Sequence, residues 1–386
     1  MNNLIKESKT AFYVFDTEKA KKRISYLKQH LPENVSICYA VKANTFIIKE
    51  LVNEVDRFEV CSPGEAMICQ HLNVPESQTV ISGVYKTPSF IEQLVASSDG
   101  RIYTVESMTQ FQLLAGLSEK YKRILPILIR LTNDSQFGIN EEEIEQIISQ
   151  RDNYKYLDFS GIQFFSGTQK TSVKKIKREL RQLDSLLLKL HEKYGFESRE
   201  LEYGSGFPVA YFQDDSVNEE EIFSGFADGI NEMVCKPKIT LELGRSIAAS
   251  CGQYYTHIVD IKRNKGQNYI LIDGGMHHLV YFGQHMAMKH PFLSVCGKED
   301  LPKTDVWNIC GSLCSMNDIV AKQVPLPDIE IGNTICFENT GAYCMTEGIS
   351  LFLSRELPEV YLKKENGEAV CVRKTFETSD LNTPDY

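Results

Sequence analysis

SICYAVKANTFIIKELVNEVDRFEV (36–60) reads as a strand, a helix and a second strand. SICYAV and RFEV are short runs of β-branched and aromatic residues, and FIIKELVNEV (46–55) between them carries apolar residues at helical spacing. Strands joined by a helical crossover are parallel neighbours with both faces buried. The alternation continues through TVIS (79–82), RIYTV (101–105), ILIRL (127–131), FSGIQFF (159–165), ELEYG (200–204) and KITLEL (238–243), with SVKKIKRELRQLDSLLLKLHEKY (172–194) as the longest helix. Eight strands alternating with helices predict an α/β fold, a (β/α)8 TIM barrel over 30–246, rather than an open doubly wound sheet. No early Gly-x-Gly-x-x-Gly turn argues for the open sheet.

Past Arg245 the rhythm changes. YYTHIVDIKR (254–263), NYILIDGG (268–275), NTICFENTG (333–341) and VYLKKENGEAVCVRK (360–374) are strands with little helix between them, which predicts a second, β-rich domain from 1–29 and 247–386. FYVFD (12–16) reads as a strand of that domain and EKAKKRISYLKQHL (18–31) as a bridging helix. A chain of 386 residues with 42% hydrophobic content can fill two such cores, and a formal net charge of −10 opposes a nucleic-acid partner. No run approaches the ~20 apolar residues of a membrane span, and residues 1–16 lack a signal-peptide core. A cytoplasmic protein acting on a small molecule is expected. Eleven cysteines without matched Cys-x-x-Cys pairs suggest free thiols rather than disulfides or zinc. The adjacent His277 and His278 would point to opposite faces of a strand, so no metal is expected.

Barrel active sites lie where the strands end, so the residues closing each apolar run carry the chemistry. Lys42 closes the first; a lysine in dry surroundings has a lowered pKa and becomes a nucleophile toward an aldehyde. Gly204-Ser205-Gly206 lets backbone N–H groups approach an anion, Thr168 adds a hydroxyl, and Arg245 a bidentate charge. Glu242, at the end of ITLEL, suits a pyridine nitrogen whose proton it would hold. Each has a plainer reading: a snorkelling lysine, a tight turn, a surface arginine, and for Glu242 an ion pair with Arg245 or Arg130.

In this order, YAVKAN (39–44), FEVCSPGEA (58–66), SQFGI (135–139), GIQFFSGTQ (161–169), YGSGFP (203–208), ELGRS (242–246), DGGM (273–276), CGSLC (310–314) and ENTGAY (338–343) resemble the alanine-racemase-fold enzymes that use pyridoxal 5′-phosphate (PLP). Within them, the match is to the diaminopimelate, ornithine and arginine decarboxylases. The resemblance implies that Lys42 carries PLP and Glu242 faces its pyridine nitrogen. Gly204, Ser205, Gly206, Thr168, Arg245 and Tyr343 would hold the phosphate. Glu59 matches an acidic residue near the cofactor, and Arg130 a barrel arginine that orients such groups. Cys314 matches a catalytic cysteine that reaches into the neighbouring subunit's site and helps return a proton to Cα, which implies a homodimer with shared active sites.

Departures from the pattern bear on the substrate. Where the ornithine and diaminopimelate enzymes stack a histidine on the PLP ring, Phe165 stands here. Where the family places an acid after the catalytic cysteine, to receive the substrate's distal ammonium, Ser315 stands here. Ser315 and Tyr343 are then the positions expected to meet the substrate. An ammonium there would find a hydroxyl in place of a charge, which counts against lysine, ornithine or meso-diaminopimelate unless Glu347 or Asp318 compensates. GIQFFSGTQ, IDGGMHH and GSLCSMND are similar to the butirosin-pathway glutamyl-carrier-protein decarboxylase subgroup, with siderophore-pathway decarboxylases nearby. The implied function is PLP-dependent decarboxylation of a specialised amino-acid-like substrate, carrier-tethered or a siderophore intermediate. The alternatives are a diaminopimelate decarboxylase, an amino-acid racemase, which typically has an arginine at the Glu242 position, and a non-catalytic binding protein.

Overall fold

The computed structural model describes residues 2–97 and 100–385. Its strand β1 (Phe12–Asp16) belongs to a β-rich sheet. The next eight are β2 (Val35–Ala40), β3 (Arg57–Val60), β4 (Thr79–Ile81), β5 (Ile102–Val105), β6 (Leu125–Leu131), β7 (Leu157–Phe165), β8 (Glu200–Gly204) and β9 (Lys238–Leu243), and they close into a parallel barrel in chain order. Closure runs through β2 and β9, from Val35 opposite Ile239 to Tyr39 opposite Leu243. Cys38, Val80, Ile102 and Leu128, drawn from four strands, pack as one apolar cluster. Toward the C-terminal strand ends the buried side chains turn polar, among them Glu59, Glu106, Arg130, Gln163 and Glu202. Burial of that many polar groups is tolerated only where they bond to one another or to a ligand.

The helix expected over 46–55 is cut to Ile48–Leu51. Glu54 and Val55 both donate to the Leu51 carbonyl, closing the turn, and the Asp56 carboxylate takes the Ile37 N–H at 2.8 Å, which delivers the chain into β3. The long helix Val173–Tyr194 forms as read, capped by the Ser172 hydroxyl on Lys175 N–H and ended by Gly195 with φ of +60°.

The chain divides into two compact units. One holds the barrel, Arg23–Pro208 and Asn218–Ser246; the other holds the residues up to Lys22, Val209–Val217 and those from Ile247 on. The second contains β10 (Gly252–Asn264), β11 (Gln267–Ile272), β12 (Leu293–Val295), β13 (Asp305–Cys310), β14 (Ile319–Leu326), β15 (Thr334–Glu338), β16 (Glu359–Lys363) and β17 (Ala369–Arg373). Their order is β14-β13-β11-β10-β1-β16-β17, with β15 on β10 and β12 on β15. β1 is therefore an internal strand, and Phe12 stacks on Tyr255 of β10 at 4.9 Å.

One expectation fails here. His277 and His278 lie not on a strand but in the turn after β11, where His278 N–H bonds Gly275 O and the two rings sit 3.9 Å apart. The strand's alternation stops at Ile272, so the rule that separates neighbouring side chains no longer applies. No described helix is long and apolar enough to cross a membrane.

Candidate active site

Lys42 stands in a single tight turn, Val41–Ala43, directly past β2. The turn is fixed from behind: Asn44 N–H bonds Val41 O, Tyr39 OH bonds Asn44 O at 3.0 Å, and the Asn44 side chain accepts Phe46 N–H at 2.9 Å. β3 and β9 flank β2 on its two sides, and each brings one acid to the ammonium. Nζ is paired with Glu59 and, at 3.3 Å, with Glu242. Cys61 is also close, its Sγ 3.6 Å from Nζ and its S–H donating to Glu59 Oε1 at 3.2 Å.

Two buried carboxyls share one ammonium, and their acidities move apart. Burial pushes Glu242 up, the Glu59 carboxylate pushes the same way, and Lys42 opposes them, leaving it at about 7. Burial also disfavours ionisation of Glu59, but Lys42 and hydrogen bonds from Glu242 and Cys61 outweigh it and hold Glu59 down at about 2. The ion pair of Glu242 is thus with Lys42. Arg130 donates to Glu106 at 2.9 Å and lies over the Phe137 ring, touching Glu242 only through its field. A third carboxyl escaped the sequence reading. Glu202 is fully buried and accepts Gln163 Nε2 at 2.7 Å; burial, then Glu242 and Glu59, push it up to about 8.

Around the ends of β7 and β8 the backbone forms a cradle. Phe165 lies opposite Gly204, and a Cβ on Gly204 would come within 2.4 Å of its ring. Gly206 has φ of +60°, and a Cβ there would meet Gly167 O at 2.1 Å, so both positions require glycine. Ser205 is fully buried, and its Oγ has no hydrogen-bond partner among the described residues. Arg245 Nε donates to Thr168 Oγ1 at 3.4 Å. An unsatisfied buried hydroxyl, a guanidinium bonded to Thr168 and two glycines that keep Cβ atoms out make a set that a phosphate fits.

Cys314, Ser315 and Tyr343 belong to the β-rich unit. The loop from β13 to β14 is pinned by Asp318, whose carboxylate accepts Met276 N–H and Leu313 N–H, each at 2.7 Å, while Ser312 N–H bonds Gly274 O. Cys314 is exposed at the loop's tip, and Ser315 Oγ accepts Asn317 N–H. Tyr343 has φ of +65°, and its carbonyl receives both Thr346 and Glu347 N–H. Beside the loop runs a groove of about 360 Å³, lined by Met276, Met286 and Met316, the amides Gln284 and Asn317, and Lys322. No carboxylate is among its described lining residues. Gln284 and Met286 come from the segment after Gly283 whose chemistry was illegible in the sequence.

Residues 17–249 match the profile of the pyridoxal-binding domain of pyridoxal-dependent decarboxylases. The chain is 25% identical, over 98% of its length and 94% of theirs, to an L-glutamyl-[BtrI acyl-carrier protein] decarboxylase of Niallia circulans. It is 27% identical, over 91% of its length and 93% of theirs, to a 2-[(L-alanin-3-ylcarbamoyl)methyl]-2-hydroxybutanedioate decarboxylase of Staphylococcus aureus. The crystal structure of diaminopimelate decarboxylase from M. jannaschii has the same fold, with a TM-score of 0.88 and 21% identity over 98% of this chain and 92% of that one.

Proposed function

The chain belongs to the pyridoxal-dependent decarboxylases, and from that premise we propose that it decarboxylates an amino-acid-like substrate whose far end carries no free ammonium, either tethered to a carrier protein or a carboxylated siderophore intermediate. The observation that carries this reading is the loop after Cys314. Ser315 offers a hydroxyl, the Asp318 carboxylate is already bonded to two backbone N–H groups, and the adjoining groove holds Lys322 but no acid. An ammonium there would lose its water without gaining a counter-charge, at a cost of about 2–3 kcal/mol. An amide, thioester or carboxylate would meet Gln284, Asn317 and Lys322. The N. circulans and S. aureus relatives are named for a glutamyl group on an acyl-carrier protein and for a hydroxybutanedioate.

PLP, when bound, supplies an electron-withdrawing ring that takes up the electron pair of the breaking Cα–carboxylate bond. In this reading Lys42 would hold the cofactor covalently and Phe165 would pack against it. Gly204, Ser205, Gly206, Thr168, Arg245 and Tyr343 hold the phosphate. Glu242, with an acidity near neutrality, keeps a proton at the ring nitrogen, and Glu59 and Arg130 set the field in which it does so. Cys314, supplied by the partner subunit of a cytoplasmic homodimer, returns a proton to the substrate's Cα, while Ser315 and Tyr343 meet the substrate itself.

Carbon dioxide release from a panel of substrates tests the reading. A γ-glutamyl thioester or a side-chain-acylated amino acid should exceed meso-diaminopimelate and ornithine in kcat/KM by about 30- to 100-fold, the equivalent of the missing counter-charge. Preference for meso-diaminopimelate would overturn it. One observation favours that outcome: Glu347, one turn past Tyr343, is exposed and makes no ion pair among the described residues. Glu347→Gln would then abolish the preference.

A further inference from the structure

Lys170 lies behind the glycine cradle, nowhere near Lys42 in sequence, and no role in the reaction attaches to it so far. Its backbone N–H bonds Gly206 O at 2.8 Å, and its Nζ reaches Gly204 O at 3.2 Å. The same ammonium bonds Glu179 Oε2 at 2.9 Å, Ser166 Oγ at 3.1 Å and Tyr203 OH at 3.2 Å. Glu179 is satisfied in turn by Tyr203 OH at 2.6 Å and Ser166 OH at 2.5 Å. Lys170 and Glu179 are 4% and 3% exposed. A buried lysine held by one carboxylate, two hydroxyls and a carbonyl is expensive to desolvate.

The consequence follows from peptide geometry. The chain has no cis peptide among its described residues, so each N–H points opposite to the C=O of the preceding residue. Lys170 fixes the carbonyls of Gly204 and Gly206 on its own side. The N–H groups of Ser205 and Phe207 must then point the other way. The approach is close: a Cβ on Gly206 would also press on Lys170 Cε at 3.0 Å, so this packing depends on glycine.

We propose that Lys170 is a positioning residue for the phosphate of PLP: with Glu179 and Tyr203 behind it, it orients the Gly204–Phe207 peptides so that their N–H groups converge on the anion, and its own charge adds to the field there. The inference rests on the reading that this cradle holds the phosphate.

The test is cofactor affinity, measured by the visible absorbance that appears when PLP, or pyridoxal lacking the phosphate, is titrated into the full-length protein after cofactor removal. Lys170→Met should weaken PLP binding about 10- to 100-fold and leave pyridoxal binding within about threefold, because only the phosphate contacts are misaligned. Equal losses for both ligands, or no loss for PLP, would overturn the proposal. Should Lys170→Met not fold, Lys170→Leu, which likewise removes the donor to Gly204 O and the charge, is read in the same way. Arg245→Met separates the two levels. If it too leaves the preference for PLP over pyridoxal intact, the cradle is not the phosphate site; if it removes that preference while Lys170→Met does not, only the role of Lys170 fails.

Discussion

Lys42 and Lys170 stand at the same end of one barrel and are built differently. Lys42 meets two carboxyls and a thiol, its side chain is 38% exposed, and one of its carboxyls sits near 7. Lys170 meets a single carboxylate whose remaining valences are filled by hydroxyls, and its side chain is 2% exposed. Around Lys42 there is more potential negative charge than one ammonium balances, so protons there can shift when a ligand arrives. Around Lys170 every donor has an acceptor, and nothing is left to rearrange. The difference teaches how one rim serves two purposes: reactivity is kept where strands β2, β3 and β9 meet, and rigidity where β7 and β8 end.

The largest effect should come from the reactive side. Lys42→Ala should lower decarboxylation by roughly 10³-fold or more and remove the visible absorbance of the bound cofactor, while Lys170→Met keeps that absorbance at saturating PLP. A purified Lys42→Ala protein that retains the band would erase the contrast. Glu242→Gln comes next: it keeps a hydrogen-bonding group but cannot hold a negative charge at the ring nitrogen, so kcat should fall roughly 10²- to 10³-fold with PLP affinity changed little. If PLP affinity falls instead, Glu242 belongs with the supporting side.

The proposed sharing of the site between subunits predicts a rescue. Equal amounts of Lys42→Ala and Cys314→Ala chains, unfolded and refolded together, should regain about one quarter of wild-type activity, because half of the dimers are mixed and each has one intact site. No regain would place Cys314 and Lys42 of the same chain together, and full activity of the Cys314→Ala homodimer would place Cys314 outside the reaction.

The smallest effect is on stability. Glu202, pushed up to about 8 by burial, folds with its proton on, so its contribution is fully present below its ordinary value of 4.5 and is lost as pH rises through 8. In the cofactor-free protein Glu202→Gln should remove about 2–3 kcal/mol of the decline between pH 5 and 8, read from urea midpoints. The β-rich unit should respond in the opposite direction. Burial lowers His277 to about 3 and His278 to about 4, so their contribution is present above 6.5 and lost as pH falls through those values. Hydrogen exchange at matched pH values would show Glu202→Gln changing the pH dependence of barrel amides and leaving that of the β-rich sheet unchanged.

The barrel was legible because strands buried on both faces leave uninterrupted apolar runs, and the residues that close those runs face the site. Lys42 and Glu242, singled out that way, meet in the structure at 3.3 Å. Glu202 was not singled out: it alternates with Glu200 in ELEYG, and nothing in the spacing says that one glutamate bonds Arg57 while the other sits against Gln163. Lys170 follows GIQFFSGTQ like any polar loop residue, and Glu179, nine positions on, is one of many charges on the Val173–Tyr194 helix. Their pairing is a tertiary event. The same holds for Asp318, which is buried and bonded to the N–H groups of Met276 and Leu313. The shortened helix after Lys42 and the stacked histidines mark where a local period gave way to the demands of a turn.

The central claim is that one lysine carries the cofactor and the other only supports its site. Reducing the holoenzyme with borohydride, digesting it and locating the phosphopyridoxyl mass by peptide sequencing tests this most directly. The mass should sit on Lys42 alone; finding it on Lys170, or on Lys86, also buried, would contradict the account.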